Sequence, residues 1–330
     1  KKMANKRRGL FLAFVGSKQQ SGSMLLLALL PMLCAAWTLP ASPVPNPIEG
    51  ETCMRTVRRY AALTKLDGPP PRHPPDHLLS EFTMGGLAAR SDFFVDDTLK
   101  GQGTHYKFDR SSIDNLISQA SRALKMHDRP SPRQKPNVQY VLRALHKHNW
   151  SGLHVLVYGS MEPWHEALLL SAGARHVTVV EYNKLTYDHP NITTIQPSQL
   201  HLEIPDGGYD AVVSFSSFDH DGLGRYGDPI DPNADLRAMG LVSCMLRKGG
   251  SFFLTVPVGP DALVWNLHRR YGTARLPLLL QGWDVAWTEG WDVDRLTAKA
   301  DPRHSYEPVL VLRHALDSGR QGQSQAHDEL

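Results

Sequence analysis

Residues 154–181 read HVLVYGSMEPWHEALLLSAGARHVTVVE, and this stretch decides the fold. His154 to Tyr158 is a short, continuously apolar run followed by Gly159 and Ser160. Glu162 to Ala172 has helical texture and stops at Gly173. His176 to Val180 is a second apolar run, closed by Glu181. Apolar strands on either side of a helix predict a parallel sheet buried on both faces. The pattern continues outward. Ile192 to Ile195, Tyr209 to Phe215 (YDAVVSF), Ser251 to Val256 (SFFLTV), Trp283 to Trp287 and Val309 to Arg313 read as further strands. Ala234 to Leu246 reads as an amphipathic helix stopped by Lys248-Gly249-Gly250. The expected class is α/β, a mostly parallel sheet with helices on both faces.

The first strand, turn and helix also suggest chemistry. Gly159 lets the backbone approach a ligand, and the helix after it offers free N–H groups. Glu181 follows 22 residues later, at the tip of the next strand, where an acid can accept from both hydroxyls of a ribose. The loop has one glycine where dinucleotide binding wants G-x-G-x-x-G. Glu162 would repel a pyrophosphate placed on that helix. A nucleoside cofactor without a pyrophosphate is therefore expected. S-adenosylmethionine, with ribose, adenine and an amino-acid tail, fits.

A second candidate region is Ser214 to Asp231, SFSSFDHDGLGRYGDPID. It follows the fourth strand and so lies on the same sheet edge as Gly159 and Glu181. Asp219, His220, Asp221, Arg225, Tyr226, Asp228 and Asp231 make it dense in titratable groups. Such a loop suits a general base or acid, and His220 is the best base by intrinsic pKa. Asp219, Asp221 and Asp228 could supply carboxylates to a divalent metal, Mg²⁺ or Ca²⁺. Arg225, Tyr226, Asp228 and His268 are the candidate substrate contacts. Arg269 and Arg270 could hold an acidic or hydroxyl-rich group. No histidine shows paired spacing with cysteine, so no standard zinc site is expected.

The segments VYGSMEPWHEALLLSAGARHVTVVEYNKLTYDHPNI, SFSSFDHDGLGRYGDPIDPNADLRAM, LRKGGSFFLTVPVG and WNLHRRYG resemble a family of domains of unknown function, the GLGRYGDP block most specifically. That family is grouped with the S-adenosylmethionine-dependent methyltransferase-like Rossmann folds. The resemblance covers about residues 150–315. It implies a Rossmann-like, methyltransferase-type domain in which Tyr158, Gly159 and Ser160 line the methionine part of the cofactor and Glu181 takes the ribose. Ser214, Phe215 and Ser216 would lie near the transferred methyl. Glu162 and Tyr182 complete the cofactor-side candidates. The family pattern departs from ordinary methyltransferases, which carry an acid before a glycine-rich loop where this chain has VYGSME.

Residues 1–41 carry a basic start, the apolar run Met24 to Trp37 and small residues up to Ala41, the pattern of a cleaved signal peptide. The run is too short for a stable membrane span. Residues 42–150 form a Pro-rich and helical N-terminal region, with a short basic helix expected over Thr52 to Leu66. Residues 316–330 form a tail ending His327-Asp328-Glu329-Leu330, the HDEL signal read by a retrieval receptor. Together these predict the endoplasmic reticulum lumen. There Cys53 and Cys244 could pair, with two buried thiols as the alternative. Asn149-Trp150-Ser151 and Asn191-Ile192-Thr193 fit the N-glycosylation pattern.

The chain has 330 residues, 41% of them hydrophobic and 21% charged, which excludes a disordered chain or a multi-span membrane protein. Its net charge is +3, with 36 Lys+Arg against 33 Asp+Glu. The first 41 residues hold six of the basic residues and no acid, so their removal leaves a balance of −3 and no indication of nucleic-acid binding. The expected function is methyl transfer to an oxygen of a glycan or other polar acceptor, with His220 or Asp219 as base and Asp221 beside them. The alternatives are a metal- and nucleotide-sugar-dependent enzyme on the same fold, or a non-catalytic binding protein.

Overall fold

The computed structural model describes residues 51–62, 66–101, 103–129, 136–300 and 305–315. The expected signal peptide, with Cys34, and the HDEL tail lie outside the described residues. The chain runs α1 (Glu51–Ala61), α2 (Asp76–Phe82), β1 (Ala89–Asp92), β2 (His105–Phe108), α3 (Arg110–Lys125), α4 (Pro136–Lys147), β3 (His154–Tyr158), α5 (Trp164–Ser171), β4 (His176–Val180), β5 (Lys184–Tyr187), β6 (Ile192–Ile195), β7 (Tyr209–Phe215), α6 (Ala234–Met245), β8 (Leu246–Thr255), β9 (Ala262–Trp265), β10 (His268–Arg270), α7 (Arg275–Leu279), β11 (Trp283–Glu289) and β12 (Val309–His314).

The main sheet has seven strands in the order β11-β12-β8-β7-β3-β4-β6. β12 is antiparallel to both its neighbours, and the pairings among β6, β4, β3, β7 and β8 are parallel. From β3 the chain winds outward through β4 to β6, then returns to β7 on the other side. The β3–β7 boundary is therefore the switch point at which open α/β sheets leave a crevice for ligand.

Alternation along the strands builds two cores. Leu156, Val212, Phe252 and Leu254 face one side with Val57 of α1, Leu236 and Met239 of α6 and Leu276 of α7. Val155, Val157, Val177, Val179, Val213 and Phe253 face the other with α3, α4 and α5. α3 starts where Asp109 accepts a hydrogen bond from the Ser112 N–H at 2.8 Å, and it buries Ile113, Ala120 and Leu124.

Three departures from the sequence reading have simple causes. Leu246 and the expected stop Lys248-Gly249-Gly250 are already the start of β8, because Tyr209 pairs with Leu246 across the sheet. The expected Thr52–Leu66 helix is described from Glu51 and ends at Ala61. Residues 76–150, expected to be helical and polar, also hold the exposed four-residue strands β1 and β2. These pair parallel with β9 and β5, so the N-terminal region is woven onto the sheet domain. No described helix is long and apolar enough to cross a membrane.

Candidate active site

The registers Tyr158↔Val180 and Val157↔Val213 bring the ends of β3, β4 and β7 level. Gly159 then sits beside Glu181, with the Gly159 N–H donating to Val180 O at 3.0 Å. Gly159 has φ +80°, and a Cβ there would lie 2.0 Å from Ser217 Oγ. Only glycine lets the loop after β3 touch the loop after β7. Glu181 is 8% exposed; its Oε1 accepts from the Asn183 N–H at 3.0 Å. Burial pushes its pKa up against those Asn183 hydrogen bonds. Ser160 donates to Glu162 O at 2.9 Å, and Tyr187 donates to Ser160 O at 3.2 Å.

The acidic block is not a surface loop. Asp219, Asp221 and Asp228 are all buried. Ser216 opens it with φ +51°, unusual for a serine, fixed by its N–H donating to Thr255 Oγ1 at 2.9 Å. Backbone strain of this kind clusters at functional sites. Asp228 accepts from the N–H groups of Gly224 at 2.8 Å and Tyr226 at 3.2 Å. Arg269, 2% exposed, donates to the carbonyls of Asp221, Asp231 and Pro232. It shapes the loop from behind, so it is not available to hold substrate as the sequence suggests.

His220 also differs from expectation. Its Nδ1 donates to Leu267 O at 2.5 Å, and its Nε2 lies 3.4 Å from Asp219 Oδ2. Burial lowers the imidazole to about 4 and raises Asp219 to about 7. The ring is thus neutral, its Nδ1 is committed to the Leu267 carbonyl, and burial makes it a weaker base than its ordinary pKa suggests, although it lines the cleft. Asp219, 0% exposed, supports the ring from outside the cavity. Asp221 is the contrasting acid. It lines the cleft; burial, then the charge of Asp228, drives its pKa well up, and its buried Oδ2, like both carboxyl oxygens of Asp219, has no hydrogen-bond partner.

These loops border a cleft. Tyr158, Gly159, Ser160, Glu181, Tyr182, Ser216, His220, Asp221, Tyr226 and Asp228 line it, together with Met161, Val180, Pro197 and Ser217, which the sequence reading did not single out. Other expected residues stand outside. Glu162 is exposed to solvent. Ser214 is sealed inside β7 at 0% exposure. Arg225 pairs with Asp97 at 2.7 Å and covers the Tyr226 ring. His268 lies behind His220, their ring centroids 6.4 Å apart, and burial, then the charge of His220, lower its pKa to about 4. Three carboxyl groups line the cleft, and none of its lining residues is lysine or arginine. Among the described residues no cluster of three or more His, Cys, Asp or Glu is arranged to hold a metal ion. Asp228 is committed to backbone N–H groups and Asp219 points away, so the three aspartates do not converge as the divalent-metal expectation requires.

Tyr60 was also missed. Its hydroxyl meets that of Tyr158 and lies 3.2 Å from that of Tyr182, bridging the tips of β3 and β4. It sits on α1, which is joined to α6 by a Cys53–Cys244 disulfide. A signal was present in the sequence: Cys53, Val57 and Tyr60 recur at i, i+4 and i+7, one face of a helix.

Residues 152–305 match the family described as "Caenorhabditis protein of unknown function, DUF268". The resemblance drawn from the GLGRYGDP block therefore stands: this stretch is similar to a family of unknown function. No curated protein matches the chain. Among solved structures, Burkholderia thailandensis 1,6-didemethyltoxoflavin-N1-methyltransferase, with 1,6-didemethyltoxoflavin and S-adenosylhomocysteine bound, is 16% identical. The match covers 63% of this chain and 90% of that one, with a TM-score of 0.41. An S-adenosylmethionine dependent methyltransferase from Mesorhizobium loti is 15% identical over 53% of this chain and 98% of that one, with a TM-score of 0.35. The strand order and the helices on both faces make the fold the Rossmann-like, methyltransferase-type α/β arrangement.

Proposed function

We propose that the chain is an S-adenosylmethionine-dependent methyltransferase of the endoplasmic reticulum lumen, methylating an oxygen of a glycan or similar polar acceptor. One observation carries the choice of cofactor. The cleft at the switch point is lined by Glu181, Asp221 and Asp228 and by no basic side chain. Such a lining offers carboxyl groups that a bound cation would hold ionised, and no basic group to pair with a phosphate. S-adenosylmethionine carries an ammonium and a sulfonium; a nucleotide-sugar carries a pyrophosphate. The unpartnered, buried Oδ2 of Asp221 is the kind of atom an incoming cation would satisfy.

When bound, S-adenosylmethionine supplies an electrophilic methyl group on a positively charged sulfur. Glu181 would accept from the ribose hydroxyls. Tyr158, Gly159 and Ser160 form the floor at the end of β3. Asp221 balances positive charge and, once ionised, is the cavity's free proton acceptor for a hydroxyl substrate. We give it the base role ahead of His220, whose Nδ1 is committed to Leu267 and whose basicity burial lowers. Tyr226 and Asp228 edge the acceptor side. Most of the acceleration would come from holding methyl and oxygen in line, with the base adding about 10²–10⁴-fold.

The compartment reading is supported by the segment of residues 1–41, the His327–Leu330 ending that a retrieval receptor would read, and the disulfide. Asn191 is exposed in the turn before β6, where it would accept an N-linked glycan.

Calorimetric titration of the purified oxidised protein tests the reading. S-adenosylmethionine should bind without added metal, and Glu181→Ala should weaken it. Absence of binding with and without Mg²⁺ would overturn the methyltransferase reading. Mg²⁺-dependent binding of a nucleotide-sugar would favour the alternative enzyme.

A further inference from the structure

α1 lies outside residues 152–305, the stretch that matches the family, yet it reaches the cleft. Val57 is 0% exposed and packs in the core with Tyr158, Leu200 and Val242. Arg55, Arg58 and Arg59 stay exposed on the opposite face. Cys53 fixes the helix covalently to Cys244 of α6. The outcome at the far end of the same face is the Tyr60 hydroxyl, held between those of Tyr158 and Tyr182. Both partners line the cleft, and Tyr60 itself stands behind them.

We infer that Tyr60 is a positioning residue for the ligand cleft, holding Tyr158 and Tyr182 through its hydroxyl, and that the Cys53–Cys244 disulfide keeps it there. Tyr158 ends β3 and Tyr182 follows Glu181 at the end of β4, so one hydroxyl sets the spacing of the two strand tips. Packing of Val57 alone does not fix the rotation of α1 to the accuracy of a hydrogen bond. The covalent tie seven residues before Tyr60 supplies that restraint. The inference rests on the proposed function only for what the cleft binds; the positioning itself is a property of the ligand-free protein.

Two measurements separate these. The first is hydrogen exchange on ligand-free protein at Gly159 and Asn183, whose N–H groups bond to Val180 O and Glu181 Oε1. Tyr60→Phe keeps the ring and removes the hydroxyl. It should speed exchange at both amides by about 3- to 10-fold, the size of one buried hydrogen bond, and leave β12 unchanged. The second is calorimetry with S-adenosylmethionine. Tyr60→Phe should weaken binding by a similar factor while lowering the melting temperature by no more than a few degrees. Cys53→Ser with Cys244→Ser should weaken it at least as much, and adding Tyr60→Phe to that pair should cost nothing further. Unchanged exchange at Gly159 and Asn183 in Tyr60→Phe would overturn the inference, as would losses that multiply in the combined variant. Exchange that responds as expected in a protein that binds no S-adenosylmethionine would uphold the positioning role and sink only the cofactor reading.

Discussion

Two buried aspartates of one segment, Asp221 and Asp235, sit in opposite surroundings. Asp235, at the start of α6, is 0% exposed and fully partnered. It accepts from Arg275 Nε at 2.9 Å and Nη2 at 2.5 Å, and from the Tyr271 hydroxyl at 2.9 Å. Burial opposes its charge, but Arg275 and Arg269 outweigh it and hold the pKa below the usual range. Asp221 is 8% exposed, faces the cleft, and has an Oδ2 with no partner and a pKa driven up. Nearly equal burial thus yields one carboxylate that is finished and one that is waiting. The first belongs to the architecture and the second to a ligand.

The comparison breaks most visibly if Asp235 is removed. Asp235→Ala should cost about 3–5 kcal/mol in chemical denaturation, because Arg275 is left as an unpaired buried charge. A loss below about 1 kcal/mol would mean that Asp235 is not the anchor described here.

pH gives the next largest effect. Asp219, raised to about 7, favours the folded state while protonated. That contribution is complete below the unfolded pKa near 4 and is lost as pH rises through 7, a fall of about 2–4 kcal/mol. Asp235 has the opposite sign: its lowered pKa contributes stability above pH 4 that disappears in acid. His220 and His268, lowered to about 4, contribute the opposite slope between pH 4 and 6.5, so the readout is the difference between proteins: Asp219→Asn should make the midpoint rise more, or fall less, than wild type as pH goes from 4 to 8. A slope unaffected by Asp219→Asn would remove this acid from the account.

Asp221→Asn should leave stability unchanged or raise it, while weakening S-adenosylmethionine binding by about 1.5–3 kcal/mol. Binding a cation beside a protonated carboxyl releases a proton. Wild-type affinity should accordingly rise with pH toward the raised pKa of Asp221, and the variant should lose that dependence. Equal affinity and equal pH profiles in calorimetry would place Asp221 with the structural acids.

The smallest effect is expected at Arg225. Its partly buried pair with Asp97 stands outside the cleft. Arg225→Ala should cost about 0.5–1 kcal/mol of stability with no change in cofactor affinity. A large loss of affinity would return Arg225 to the site.

The sheet was legible because its strands are buried on both faces and read as unbroken apolar runs. HVLVY, HVTVV and YDAVVSF fall within β3, β4 and β7. Gly159 and Glu181 were legible because they punctuate those runs. The division of labour inside Ser214–Asp231 was not. Asp219, Asp221 and Asp228 are chemically alike, and the loop that sends Asp221 and Asp228 to the cleft but not Asp219 is braced by Arg269, 48 positions beyond Asp221. Asp235 could not be read as anchored, because Tyr271 and Arg275 are 36 and 40 positions away. β1 and β2 escaped notice because they are short, polar and defined by their pairing partners.

The disulfide also sets an order of events during synthesis. Cys53 and Cys244 are 191 positions apart. At the usual pace of translation the second follows the first by about 10–40 s. Every residue that lines the cleft, from Tyr158 to Asp228, lies between them. The bond can therefore close only after the last wall of the cleft has been made, so α1 is locked over a complete set of loops.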